Sequence, residues 1–164
     1  MMRHTLIQRP RRSRQRGVAA IEATIALPIL FLMFYAVGEF GRLLYQYNQL
    51  NSLARNAARH LISFTSPNST GALGISETID SQVRNMAVTG QLSGGTPLLR
   101  GLTADAVTIN LIEGDPTDPA LVDVATLSIT YDWTPMFGES IPGFFGDAVD
   151  LSWDITATVT MRPL

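Results

Sequence analysis

One long apolar run near the N-terminus limits what this chain can fold into more than any other feature. From Val18 to Gly38 there are twenty-one residues, of which only Glu22 is charged. A helix of about 20 residues, rising about 1.5 Å per residue, spans the hydrocarbon core of a bilayer. The run therefore predicts a membrane-spanning helix. Glu22 needs an explanation, because a charged acid deep in hydrocarbon costs about 2.5 kcal/mol or more.

The charges of the chain lie unevenly on the two sides of this run. Residues 1–17 contain six of the twelve arginines and no acid, whereas the rest has six arginines and fourteen acids, a net charge of 6 − 14 = −8. Positive residues next to a membrane span favour the cytoplasmic side. We therefore predict a cytoplasmic N-terminus and an acidic extracytoplasmic domain. A nucleic-acid-binding arm is the alternative interpretation of the arginines, but the apolar run favours the membrane, and we expect no nucleic-acid partner.

The length of the chain limits the number of domains. With 164 residues, it can hold a membrane helix and one soluble domain of roughly 100 residues, which disfavours a multidomain enzyme. A secretory signal peptide is the competing interpretation of the basic start and the apolar run. However, Ala36-Val37-Gly38 is a poor site for that type of cleavage, and a helical pattern continues after it. We therefore favour a helix that remains in the protein.

Beyond the span, apolar residues continue at helical spacing. They recur every three or four positions and form one stripe, made of Phe40, Leu43, Leu44, Tyr47, Leu50, Ala54, Ala57, Ala58 and Leu61. The opposite face is polar and includes Gln46. The pattern predicts one helix over residues 18–63, about 69 Å long, whose membrane part is 18–38 and whose second half covers another part of the protein. Pro28 removes the hydrogen bond to the carbonyl of Thr24 and predicts a kink or local loosening.

The remaining residues, 64–164, are predicted to form a small domain, so that the fold class is α+β. Ser76 is a plausible N-cap and Gly90 a plausible end for a second helix, with an apolar face of Ile79, Val83, Met86 and Ala87. The segments DAVTINLIEG, LVDVATLSITYDW and LSWDITATVTM alternate in polarity and predict an antiparallel sheet of three to four strands. We assign to inner faces a set of residues that includes Val122, Val124, Trp133, Leu151 and Trp153. We expect the long helix to cover the sheet.

Glu22 has two interpretations. It can lie at the cytoplasmic headgroup level, so that the span begins at Ala23, or it can have a task inside the membrane. If the chain is cut after Gly17, Val18 becomes a new N-terminus and Glu22 its fifth residue. One helical turn, about 6 Å, then separates an amine from a carboxylate. The two groups could pair within one subunit or between subunits.

The residues around Glu22 match a known pattern. RGVAAIE, residues 16–22, resembles the type IV prepilin processing site, in which a basic leader is followed by glycine and, at the fifth mature position, by glutamate. ALPILFLMFYAVGEFGRLLYQYNQLNSLARNAARHL resembles the TadE-like pseudopilins of tight-adherence (Flp, type IVb) pilus systems. The resemblance covers residues 16–61. Beyond them it is limited to the pattern of strands and the closing ATVTMRP.

This resemblance implies a precursor that is processed in the membrane. Residues 1–17 are then a leader whose basic residues include Arg12, Arg14 and Arg16. By likeness to the family, a prepilin peptidase on the cytoplasmic face cuts between Gly17 and Val18. Glu22 serves the recruitment of the subunit into the filament.

The resemblance also implies a function and partners. Because a domain follows the first helix, the chain is expected to be a minor pilin or pseudopilin that contributes to pilus assembly, adhesion and biofilm formation. The implied partners are the peptidase, other pilins and pseudopilins, the pilus assembly platform and the bacterial inner membrane, and no cofactor is implied. The alternative is a permanently anchored, unprocessed single-span protein whose outer domain binds a partner or ligand.

Other chemistry in the sequence is weak. The two histidines, His4 and His60, support no catalytic triad, so we do not expect an enzyme. Glu113, Asp115, Asp118 and Asp123 suggest calcium, but EF-hand spacing is absent and the prolines between them are typical of an exposed turn. We therefore predict no metal site. The loop PMFGESIPGFFGD, residues 135–147, with Phe137, Phe144 and Phe145, is where we expect partner contacts.

Overall fold

The structure, a computed structural model, describes residues 13–67, 73–114, 123–136, 138, 140–141, 146–147, 149–150 and 152–162. Two compact units follow one another along the chain, Met1–Phe40 and Gly41–Leu164. The first contains the beginning of helix α1 (Ser13–Phe64), and the second contains its end and all the other elements. The predicted α+β class is confirmed.

Helix α1 is 52 residues long and begins five residues earlier than the sequence predicted. Residues 13–17 of the predicted leader therefore belong to the same helix as the predicted mature chain. It continues through Pro28, and Thr24 Oγ1 donates a hydrogen bond to the carbonyl of Ala20 at 2.8 Å. At the C-terminal end, the backbone N–H and the Oγ1 of buried Thr65 both donate to the carbonyl of Leu61, at 3.0 and 2.7 Å. These bonds satisfy a carbonyl that the last turn leaves without a helical partner.

The second helix, α2 (Glu77–Thr89), has the predicted ends. Ser76 Oγ accepts from the N–H of Ile79, and Gly90 adopts a left-handed conformation (φ 75°) in which its N–H donates to the carbonyl of Met86. Glycine suits this position because a side chain is strained at positive φ. Val83, Ala87 and Val88 are buried, so the predicted apolar face is confirmed and extended by Val88.

The described residues of the second unit form seven strands in three antiparallel sheets. Two are short: β1 (Ser66–Pro67) with β2 (Leu73–Gly74), and β5 (Ser140–Ile141) with β6 (Val149–Asp150). The main sheet contains β3 (Val107–Ile112), β4 (Val124–Trp133) and β7 (Trp153–Met161) in the order β3-β4-β7. A short 3-10 helix, Ala104–Ala106, leads into β3. The predicted three-stranded antiparallel sheet is confirmed.

The core lies between this sheet and the two helices. β4 contributes the inward residues Ala125, Leu127, Ile129, Tyr131 and Trp133. Helix α1 contributes a larger set of buried side chains, namely Leu50, Leu53, Ala54, Ala57, Ala58 and Leu61. Three of these are alanines, and small side chains let a helix approach its neighbours closely. The expectation that the long helix covers the sheet is confirmed for this part of α1.

The predicted stripe was wrong in its first half. Phe40, Leu44 and Tyr47 are exposed by 61, 43 and 40 %, whereas Leu43 is half-buried against the core and Gln46 is half-buried instead of lying on a fully solvated face. Spacings of three and four fit two neighbouring faces of a helix equally well. The sequence pattern therefore merged an outward face with the inward face, which continues from Leu43 to Leu50.

Two residues of the strands differ from the expected burial. Trp153 pairs with buried Trp133 and therefore lies on the inner face, as the alternation predicted, but it is 57 % exposed because it lies at the end of the sheet where β7 begins. Val124 lies on the outer face and is half-buried, because the alternation of β4 runs without a break from Ala125 to Trp133. Val122 and Leu151, which we also assigned to inner faces, lie outside the described residues.

Candidate functional site

The predicted cleavage position lies on the surface of an unbroken helix. Gly17 and Val18 are both exposed within α1, Val18 by 67 %. A Cβ added at Gly17 would have no neighbour within 4 Å, so packing within the described chain does not require glycine there. Glycine is about 1 kcal/mol less favourable than alanine inside a helix. It therefore lowers the cost of opening the helix locally at this position.

Glu22 lies four residues beyond Val18 in the same helix and is exposed. Residues four apart lie on the same helical face, one turn from each other. Glu22 has no ion-pair partner among the described residues. The helix therefore places this carboxylate where it can meet an amine at Val18 or a group on another molecule.

The helix around Glu22 exposes a continuous apolar surface. It contains an 18-residue window with a mean hydropathy of 2.1, none of which is buried, and it is long and apolar enough to cross a membrane. Val18, Ile21, Ile25, Phe31 and Phe34 are each more than 60 % exposed. Side chains of this kind are removed from water at a gain of about 25 cal/mol per Å². This helix is a candidate membrane span.

The predicted basic leader residues are only partly within the described chain. Arg14 and Arg16 lie in the first turns of α1, which begins at Ser13. Arg12 lies outside the described residues.

A second polar site, which the sequence did not reveal, lies in the domain at the end of β4. Arg42 Nη2 donates to the carbonyl of Thr134 at 2.6 Å, and its guanidinium lies 5.8 Å from the centre of the Trp133 ring. Tyr131 donates its hydroxyl hydrogen to the carbonyl of Arg100 at 3.1 Å. Burial raises the pKa of Tyr131; the charge of Arg42 opposes this shift and that of Asp132 adds to it. The groove beside these groups has a volume of about 600 Å³.

The residues that line this groove include two arginines, Arg42 and Arg100. Guanidinium groups bind carboxylates and phosphates through charge-assisted hydrogen bonds. The only sequence signal was an arginine, Arg42, beside the inward face of a helix.

The other candidate residues do not come together as a reactive site in the described part of the chain. His60 Nε2 lies 3.1 Å from Gln82 Oε1, and its ring lies 4.9 Å from that of Phe64, centre to centre. Asp123 Oδ1 accepts from the N–H of Gly114 at 2.8 Å, as in a turn. No group of three acids, histidines or cysteines among the described residues could hold a metal ion.

Several residues that the sequence singled out lie outside the residues that the structure describes. They are His4, Asp115, Asp118 and the loop aromatics Phe137, Phe144 and Phe145. Of the loop expected to contact partners, Met136 is described and is 69 % exposed.

The described chain combines an exposed apolar N-terminal helix, which is a candidate membrane span, with a small α+β domain. Residues 17–59 match the family model described as TadE-like protein, so this segment of the chain is similar to that family. The match confirms the resemblance seen in the sequence and includes Gly17, Val18 and Glu22. That family comprises pilin-like components of tight-adherence pili. No curated protein and no solved structure matches the chain.

Proposed function

We propose that this protein is a minor pilin of a tight-adherence pilus, inserted in the bacterial inner membrane as a precursor and matured by a prepilin peptidase. In this proposal it acts as a structural subunit, not as an enzyme, and contributes to pilus assembly and through it to adhesion and biofilm formation. The observation that carries the proposal is the placement of Val18 and Glu22 one turn apart on an exposed apolar helix. The family match over the same residues supports it.

The first step of the proposed mechanism is cleavage between Gly17 and Val18. The helix before the cut is lost, so the first N–H groups of the mature helix no longer have carbonyl partners. The partial positive charge of a helix N-terminus adds to that of the new amine. Glu22 is then the first acid along the mature chain.

The second step is the pairing of this amine with a carboxylate in the membrane. An amine and a carboxylate that are unpaired in hydrocarbon each carry a desolvation penalty, which pairing relieves. Pairing between subunits would add this gain only when two helices are in the correct axial register. Glu22 thereby selects the axial step at which the subunit joins the other pilins.

The proposed orientation follows the charges. The arginines of residues 1–17 remain in the cytoplasm beside the peptidase and the assembly platform, and the domain with a net negative charge lies outside the membrane. The competing function is a permanently anchored protein with a binding domain. The groove between Arg42 and Arg100 would then be its binding site, and the leader would be retained.

Substitution of Glu22 tests the proposal. We expect Glu22→Gln to permit membrane insertion and cleavage but to abolish incorporation into pili, because the neutral amide cannot neutralise the amine. Glu22→Asp, which keeps the charge on a shorter side chain, is the matched control and should retain partial incorporation. The measurements are immunoblots of membrane and sheared pilus fractions. Normal incorporation of Glu22→Gln would refute the electrostatic role.

A further inference from the structure

The groove at the end of β4 is basic in a domain that is otherwise acidic. It is lined by Arg42, on α1, and by Arg100, in the segment that follows α2. Beyond Gly17 the chain has fourteen acids and six arginines, yet no acid of the described residues lines this groove. Two guanidinium groups without an acid in the same wall favour an anionic ligand, because they bind its oxygens through charge-assisted hydrogen bonds.

Both arginines are held in position by the end of β4. Arg42 Nη2 donates to the carbonyl of Thr134 at 2.6 Å. The carbonyl of Arg100 accepts the hydroxyl hydrogen of Tyr131 at 3.1 Å, and Leu99, directly before Arg100, is buried. The side chain of Arg100 is nevertheless exposed and has no ion-pair partner among the residues that the structure describes. A cation on a fixed backbone loses little conformational freedom when it binds a ligand.

Two buried polar atoms at this place have no hydrogen-bond partner in the described chain. They are Oε1 of Gln46, which lines the groove, and Nε1 of Trp133, whose ring lies beneath the guanidinium of Arg42. Buried polar groups are normally hydrogen-bonded, so unpaired ones indicate a binding place for a polar group. An indole N–H only donates, and a glutamine amide can turn its NH2 group towards the groove. Both groups therefore suit a ligand that supplies acceptor oxygens.

The place of Arg42 in the sequence indicates the source of the anion. Arg42 is four residues beyond Gly38, the last residue of the predicted membrane span, and both residues belong to the continuous helix α1. Four residues correspond to about 6 Å along a helix. The headgroup region of a bilayer is roughly 5 to 8 Å thick on each side of the hydrocarbon core. Arg42 therefore follows the span at the depth of the phospholipid phosphates.

We propose that this groove binds the headgroup phosphate of an anionic phospholipid in the extracytoplasmic leaflet of the membrane. Arg42 and Arg100 bind the phosphate oxygens, since the planar guanidinium group matches the geometry of a phosphate. Met136 also lines the groove and is 69 % exposed, so it offers the lipid an apolar contact beside the two charges. A carboxylate of another subunit would use the arginines but would gain nothing from the depth of Arg42.

The lipid contact adds a function to the domain that the proposed role in the pilus does not include. It agrees with a single membrane orientation, in which the domain lies outside, and it needs neither cleavage after Gly17 nor the pairing of Glu22. A ligand that binds one state of a protein stabilises that state. The bound phosphate therefore stabilises the form whose helix is inserted in the membrane, and extraction of the helix from the bilayer breaks the contact.

Photo-cross-linking identifies what occupies the groove. The chain contains no cysteine, so full-length Met136→Cys can be labelled at one position with benzophenone maleimide. Ile112→Cys is the matched control, since Ile112 is 58 % exposed and lies at the other end of the sheet. In vesicles of phosphatidylethanolamine and phosphatidylglycerol, irradiation should add the mass of one phospholipid to the Met136→Cys variant with at least five times the yield of the control. Equal lipid yields, or an adduct with another protein chain at this position, would overturn the proposal.

Lipid affinity tests the role of the guanidinium groups. Native mass spectrometry of the full-length protein in detergent micelles, titrated with dioleoylphosphatidylglycerol, measures the binding of the first lipid. Arg100→Gln should weaken this binding at least fivefold, and Arg100→Lys should weaken it less, because lysine keeps the charge but not the planar fork. Arg55→Gln is the matched control, an exposed arginine of α1 outside the groove, and should change the affinity less than twofold. Equal affinities of the Arg100→Gln and Arg55→Gln variants would refute the site.

A soluble anion separates a lipid site from a site for free phosphate. Glycerol 3-phosphate carries a phosphate without acyl chains and should bind at least tenfold more weakly than dioleoylphosphatidylglycerol, because it gains no contact with Met136. Equal affinity for the two ligands would assign the groove to a soluble phosphate and would overturn the membrane contact.

Discussion

The face of helix α1 that packs against the core gives the most quantitative prediction about stability. Leu50 and Leu44 lie on the same helix, but Leu50 is 0 % exposed and Leu44 is 43 % exposed. Truncation of a fully buried leucine to alanine removes its transfer free energy and leaves a cavity, at a cost of about 3 to 5 kcal/mol. Leu44 faces outwards and leaves no enclosed cavity. Leu44→Ala should lower the free energy of unfolding by about 1 kcal/mol. Full burial of a leucine side chain contributes roughly 2 kcal/mol, and Leu44 is only about half removed from water.

The assay is urea unfolding of the full-length protein in non-ionic detergent. Trp133 is 3 % exposed and reports the core, and a Trp153→Phe background makes it the only tryptophan of the chain. At a slope of about 2 kcal/mol per M, Leu50→Ala should lower the urea midpoint by roughly 1.5 to 2.5 M and Leu44→Ala by roughly 0.5 M. Equal shifts of the urea midpoint for the two variants would contradict the outward position of Leu44 and support the single apolar stripe that the sequence predicted.

Two further predictions concern the cleavage position and the buried phenol. Gly17→Val should leave the precursor uncleaved in membranes, whereas the matched control Ala20→Val on the same helix should be processed. A Cβ at position 17 meets no atom within 4 Å, so the substitution fits the helix itself. Cleavage of Gly17→Val would therefore exclude Gly17 as the cleavage site. Burial raises the pKa of Tyr131 above its ordinary value of 10.0, so the unfolded chain loses this proton first and the free energy of unfolding should fall as the pH rises above 10. Tyr131→Phe should make unfolding less sensitive to pH in that range, as measured by urea titrations at pH 9 and above, and an unchanged pH dependence would contradict this assignment.

Local signals in the sequence predicted most of the elements of the fold. Ser76 and Gly90 bound α2 because capping depends on residues within one turn of the helix end. The strands followed from alternation, which is a property of each segment alone. The same logic failed for Leu44 and Tyr47, because the choice between two adjacent helix faces depends on what the helix packs against.

The candidate sites were predictable to different degrees. Gly17 and Glu22 are close in the sequence, so helical geometry alone relates them. The contact of Arg42 with Thr134 joins residues 92 positions apart, and no local pattern indicates it.

The mature N-terminus is the most direct test of the proposed function. Mass spectrometry of the protein isolated from the membranes of cells that produce the matching prepilin peptidase measures it. The account predicts a chain that starts at Val18 and lacks the mass of residues 1–17. A chain that keeps its arginine-rich leader would contradict the account and support the permanently anchored protein.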